Sequence, residues 1–140
     1  PLGFYRVKAQ HIIALSVRLE SAFHGVVPSR MEDLTSLPGV GRKTANVVRG
    51  NAFGLPGFPV DTHVIRVTGR LGWRKDCNKS KKYANPESIE KEITSYFEPA
   101  DWTNLSHRLI LHGRKICTAR NPKCASCPLK TTCPSSNAFV

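Results

Sequence analysis

The sequence predicts an all-α protein. Apolar residues recur at three-and-four spacing in several separate stretches, nowhere is there a long period-two alternation, and Pro, Gly and capping residues punctuate the periodic runs. With 140 residues, 40% of them hydrophobic, the chain can bury one ordinary core or two very small ones. It contains no internal repeat and no low-complexity tract.

Taken in order, the first helix is expected over about Val7 to Phe23, because Ile12, Leu15, Leu19, Ala22 and Phe23 share one helical face. Gly25 and Pro28 end it. Ser29 followed by Glu32 has the form of a capping box, so a short helix should run to about Leu37 and stop at Pro38. Another should begin near Gly41 or Arg42, bury Ala45 and Val48, and give way to the loop "GLPGFP", Gly54 to Pro59. Asp61 and Thr62 offer N-cap oxygens to a helix of roughly Thr62 to Leu71. Asn85 and Pro86 start the next, with Ile89, Ile93, Tyr96 and Phe97 on one face, and a last helix spans about Thr103 to Ile116. Between Trp73 and Pro86 the insert "RKDCNKSKKYAN" reads as a solvated loop or an extra contact to a nucleic-acid backbone, with Cys77 as a surface thiol.

Charge narrows the partner. Twenty-one Lys and Arg against ten Asp and Glu leave +11 at pH 7, a surplus that favours an anionic partner, nucleic acid first, over a merely solvated surface. No run approaches the ~18 apolar residues of a membrane span, and the N-terminus lacks the layout of a signal peptide, so a cytoplasmic location and no membrane partner are expected. In that compartment thiols stay reduced, and clustered cysteines suggest metal rather than disulfides.

The segment "LPGVGRKTANVV", Leu37 to Val48, joins two helices through Gly39, Val40 and Gly41. Its small turn and the unpaired amides of the second helix can press against a phosphate, and Arg42 adds a full positive charge. This is helix-hairpin-helix logic, which grips a backbone without reading bases. A glycine turn that only packs two helices would look similar. Lys43 lies in the first turn of the second helix, where a cation is electrostatically disfavoured. The dipole, Arg42 and partial burial would favour its neutral amine, which suits a nucleophile; the plain alternative is a solvent-facing lysine. Asp61, in "PVDTHV", is expected to stay ionised at a helix N-terminus and to be the partner group of Lys43, a role compatible with simple capping.

Near the C-terminus, Cys117, Cys124, Cys127 and Cys133 follow a six-two-five spacing. Four thiols in so short a segment suit an iron-sulfur cluster, whereas zinc usually takes two close pairs and only one pair here has two-residue spacing. Lys115, Arg120, Lys123 and Lys130 surround the array and would present positive charge to DNA phosphates.

With these residues assembled, the chain resembles the endonuclease III family of bifunctional DNA glycosylases. "LPGVGRKTANVV" is similar to the family hairpin, "VDTH" to its catalytic aspartate segment and the cysteine spacing to its 4Fe-4S loop, in the family's order across residues 37 to 133. The resemblance implies part of the helix-hairpin-helix DNA glycosylase fold: residues 1–102 as part of its helical domain, with the hairpin at about 30–50, and residues 103–140 as a helix plus cluster loop. It also implies that the chain starts within the family pattern, so that the apolar faces of the first helix and the hairpin pair would be partly exposed.

By the same resemblance Lys43 would attack C1′ of a damaged nucleotide and form a Schiff base, and Asp61 would activate that lysine and stabilise charge on the sugar. Gly39, Val40, Gly41, Arg42, His63 and Lys123 would contact DNA. Phe4, in "LGFY", would be an apolar wedge near the vacated base; otherwise it is ordinary core. Adenine-specific relatives usually lack the lysine and relatives acting on oxidised guanine commonly lack the cluster. The implied enzyme is therefore a base-excision repair glycosylase and abasic-site lyase acting on oxidised pyrimidines or abasic sites in double-stranded DNA, in the cytoplasm at a bacterial nucleoid. The competing readings are a noncatalytic DNA-binding module and a zinc-stapled interaction domain.

Overall fold

The fold was read from a computed structural model, which describes residues 3–74 and 85–138. Most of the basic insert, with Cys77, lies outside the described residues. Among the described residues six α-helices follow in order: α1 (Tyr5–Phe23), α2 (Met31–Thr35), α3 (Arg42–Ala52), α4 (Thr62–Arg70), α5 (Pro86–Thr94) and α6 (Trp102–Lys115). Short 3-10 turns lie at Pro99–Asp101 and Cys124–Ser126, and no strand occurs among the described residues. The helices divide into two compact units, Pro1–Gly57 and Phe58–Val140.

In the first unit a small core forms from Leu34, Leu37 and Ala45, against which Leu15, Leu19, Phe23, Met31, Val40 and Val48 pack. The three-and-four spacing of α1 thus engages from Leu15 onward. Ile12 departs from that face: it is 65% exposed, beside Ile13 at 67% and Val17 at 63%, and α1 contains no buried residue. The helix ends where His24 and Gly25 both turn left-handed, with the Gly25 amide donating to Leu19 O at 3.1 Å.

The expected capping box is not formed. Arg30, not Ser29, is the N-cap of α2 and makes no side-chain cap bond. Ser29 is engaged through its carbonyl, which accepts from Arg49 Nη1 of α3 at 2.8 Å, and Glu32 instead lies 3.7 Å from Arg30 Nε. Glu32 and Asp33 still complement the dipole in the first turn.

The link from α2 to α3 is a tight turn. Val40 N donates to Leu37 O at 3.1 Å, Pro38 and Gly39 occupy the centre, and Gly39 has φ +77°. Pro followed by a left-handed Gly is the arrangement of a type II turn. A Cβ on Gly39 would also come 2.9 Å from the side chain of His11 on α1, so another residue there would be strained in its backbone and would have to displace His11.

The second unit is built around α4. Val64 and Val67 join Phe58, Val60, Ile89, Ile93 and Leu109 in one core, with α6 as the principal neighbour of α4. Thr68 is buried with its hydroxyl returned to Val64 O at 2.7 Å, which lets a polar residue sit in an apolar layer. Asn85 caps α5 by accepting from Glu87 N at 2.9 Å, with Pro86 at the first helical position as its fixed φ allows. Trp73 and Phe97 meet with tilted rings, their centroids 5.6 Å apart, and Trp102 Nε1 donates to Phe97 O at 2.9 Å. Tyr96 and Phe97 lie beyond the end of α5 rather than on it.

Gly39→Ala is expected to destabilise the protein by about 1–3 kcal/mol, the cost of a strained left-handed residue plus the His11 overlap. Gly41→Ala, where φ is −88° and a Cβ meets nothing within 4 Å, should cost at most about 1 kcal/mol. Denaturant unfolding of both variants checks the contrast.

Candidate functional site

The hairpin delivers an electropositive turn. Gly41, the N-cap of α3, is extended, carries no capping side chain, and the first turn contains no acidic residue. The starting amides of α3 therefore keep the partial positive charge of the helix end uncompensated by any local carboxylate. Gly39, Gly41, Arg42 and Lys43 are all exposed, and Val40 is half-buried against the small core.

Lys43 is not partly buried, as its expected reactivity had assumed. Ala45 and Asn46 turn their side of α3 inward, and Lys43, two residues and roughly 200° before Ala45, falls on the outer side. The positive surroundings of its amine are thus the helix start and Arg42, without desolvation. Phe4 is 85% exposed, in a left-handed conformation at the N-cap of α1, and takes no part in either core.

In the second unit, Asp61 is half-buried and caps α4. Its Oδ1 accepts from His63 N at 2.8 Å and Val64 N at 2.9 Å. Capping fixes the carboxylate and leaves its second oxygen outside those two bonds. Asp61 and His63 are thereby brought together on one turn, and the hairpin residues belong to the other unit.

Two arginines on α4 were not anticipated from the sequence. Arg66 Nε donates to Cys117 O at 3.0 Å and Nη2 to Gly113 O at 2.8 Å. One turn later, Arg70 Nη1 donates to Thr118 O at 2.7 Å and approaches Cys117 Sγ at 3.3 Å, while Nη2 reaches Ala119 O at 3.2 Å. Together they fasten the backbone that leaves α6 and carries the first cysteine. The available signal was their i,i+4 spacing inside "VIRVTGR", where a basic residue interrupts an otherwise core-facing run.

All four cysteines are free, half-buried and line a single cavity, together with apolar Val67, Leu71, Ile116 and Leu129. N–H groups are directed at the sulfurs: Arg70 at Cys117, and Leu129 N at Cys127 Sγ at 3.4 Å. Cys133 Sγ lies 3.5 Å from Arg70 O, and His112 Nε2 lies 3.8 Å from Cys127 Sγ, with burial holding the His112 imidazole below the ordinary histidine range. Among the described residues no three His, Cys, Asp or Glu side chains group tightly enough for one metal ion. Thiols distributed around a cavity, with hydrogen-bond donors to stabilise thiolate charge, fit a multi-iron cluster in which each iron takes one cysteine. Lys123 is exposed on the same loop, its amide donating to Ile116 O at 3.0 Å, and Lys115, Arg120 and Lys130 are exposed around it.

Comparison with known proteins agrees with this geometry. Residues 22–50 match the family described as "Helix-hairpin-helix motif", and residues 117–133 the family described as "Iron-sulfur binding domain of endonuclease III". The chain is 45% identical over 137 residues to the endonuclease III of Synechocystis sp., covering 97% of this chain and 59% of that protein. It superposes with TM-score 0.87 and 40% identity on a non-covalent endonuclease III–DNA complex, and equally on a trapped endonuclease III–DNA covalent intermediate; each match covers 97% of this chain and 61% of the other. The chain thus spans about three fifths of the length of the relatives it matches. The cofactor these matches indicate is a 4Fe-4S cluster.

Arg70→Met is expected to speed iron release to a chelator about tenfold, as befits the loss of roughly 1.5 kcal/mol of charge-assisted hydrogen bonding to the loop. Stopped-flow chelation on the purified protein measures it. Over the three fifths of those relatives' length that it spans, the chain is similar to endonuclease III in its hairpin, its cysteine loop and its helical fold.

Proposed function

We propose that the chain acts in base-excision DNA repair, as a DNA glycosylase and abasic-site lyase that removes oxidised pyrimidines and cuts the strand. The observation that carries this reading is the exposed primary amine of Lys43 in the first turn of α3, directly after the uncapped glycine turn. A helix start that only bound phosphate would need amides and Arg42, not a second cation one residue on. A neighbour in structure is a covalently trapped DNA intermediate of endonuclease III, which supports covalent chemistry for this chain as well.

In the proposed reaction the hairpin amides and Arg42 hold a phosphate of double-stranded DNA, and the damaged nucleotide is turned out of the stack so that C1′ becomes accessible. The Lys43 Nζ lone pair attacks C1′. The bond from C1′ to the base breaks, and its electron pair departs with the base, which takes up a proton. Asp61, an anion fixed by two amides, stabilises positive charge developing on the sugar and accepts the proton that Lys43 gives up. The sugar ring opens to a Schiff base. Loss of a proton from C2′ then expels the 3′ phosphate oxygen, breaking C3′–O, and water hydrolyses the imine to free Lys43.

The cluster, when bound, supplies a rigid covalent staple of four thiolates. The residues of this chain do the rest: Arg66 and Arg70 anchor the stapled loop, and Lys123, with Lys115, Arg120 and Lys130, presents positive charge to the DNA backbone. Such an enzyme works inside the cell, on the DNA of the nucleoid.

The test is incision of a duplex carrying one ring-saturated pyrimidine. Lys43→Ala should abolish incision and Asp61→Asn should slow it by about 10²–10⁴-fold, with duplex affinity of each changed only a few-fold. Undiminished affinity with no incision by the unmodified chain would instead favour the noncatalytic DNA-binding module.

A further inference from the structure

Arg66 occupies the middle of α4, one turn beyond Asp61, and is only 8% exposed. A guanidinium stays charged and can only donate hydrogen bonds. Its contacts with Cys117 O and Gly113 O use Nε and Nη2, and Nη2 also lies 3.0 Å from His63 Nδ1. Because Arg66 cannot accept, Nδ1 must, which assigns the proton of the neutral imidazole to Nε2.

The packing is tight. A Cβ on Gly113 would come 3.0 Å from His63 Cβ and 3.1 Å from Arg66 Nη2, so a larger residue on α6 would have to push both side chains back by a few tenths of an ångström. The His63 backbone is held independently by its amide bond to Asp61 Oδ1 at 2.8 Å. The other ring nitrogen is different: Nε2 makes no hydrogen bond among the described residues, and His63 is half-buried rather than part of the core.

We propose that Arg66 is a positioning residue that locks His63 into the Nε2–H tautomer, so that the turn after Asp61 offers one outward N–H donor to a DNA phosphate oxygen. The DNA half of this proposal rests on the function proposed above. The alternative tautomer would aim the Nε2 lone pair at an anionic oxygen, which is repulsive. Arg66 removes that state, and through Gly113 O and Cys117 O it ties the orientation of the donor to the end of α6 and the cysteine loop.

Nitrogen-15 NMR of the His63 ring in the cluster-loaded protein, without DNA, tests the first half. A protonated Nε2 and bare Nδ1 are expected, with Arg66→Met giving a mixture and Arg66→Lys an intermediate case. An Nδ1–H ring or a mixture in the unmodified protein overturns the proposal, whether or not the variants fold. Affinity for a duplex with an uncleavable abasic-site analogue tests the second half. His63→Ala should weaken binding about tenfold, the worth of one charge-assisted hydrogen bond, and His63→Gln, whose amide reaches the Nε2 position, should recover most of that loss. Glutamine no better than alanine overturns the donor role. If the unmodified protein binds no duplex, the DNA half falls together with the proposed function, and the ring spectrum alone still decides what Arg66 does.

Discussion

The carboxylate of Asp61 accepts two amides of the helix it begins, and the organisation of the second unit follows from that cap. It fixes where α4 starts and therefore which residues face inward. Val64, Val67 and Thr68 then fall in the core, and Arg66 and Arg70 fall on the side that meets α6 and the cysteine loop. A carboxylate with one oxygen committed to backbone amides is rigid and negative in a defined place. One interaction thus serves as a helix cap and as a pre-positioned anion.

The first unit rests on a backbone constraint of another kind. Gly39 turns left-handed against His11, and this sharp reversal presents the start of α3 with no side chain in front of it. Its core is small, and much of α1 stays exposed, including Ile12, Ile13 and Val17. The two units use opposite charge logic. The hairpin concentrates positive charge at a helix start, whereas the turn at Asp61 neutralises one.

Much of this was legible in the sequence, because the signals were local. Asp61 before "THV" and Asn85–Pro86 are caps that act within three residues, and Pro38–Gly39 can hardly form anything but a turn. The cysteine spacing needed no tertiary knowledge to suggest one centre. Local signals also misled. Ser29 and Glu32 fit a capping box, yet Arg49 from α3 engages the Ser29 carbonyl and Arg30 takes the N-cap. Lys43 was expected to be partly buried, although its offset from Ala45 already placed it on the outer side of α3. Arg66 and Arg70 were hidden for a different reason. Their acceptors lie about fifty positions away in the chain, and a basic residue on a helix ordinarily reads as surface.

In the proposed reaction a lysine amine at the start of α3 becomes covalently joined to a DNA sugar. Borohydride reduction of the protein mixed with a duplex bearing one abasic site, followed by peptide mapping of the crosslinked product, tests it most directly. The account predicts a single adduct, on Lys43. An adduct on another lysine or on the terminal amine, or none while the duplex is demonstrably bound, would contradict it.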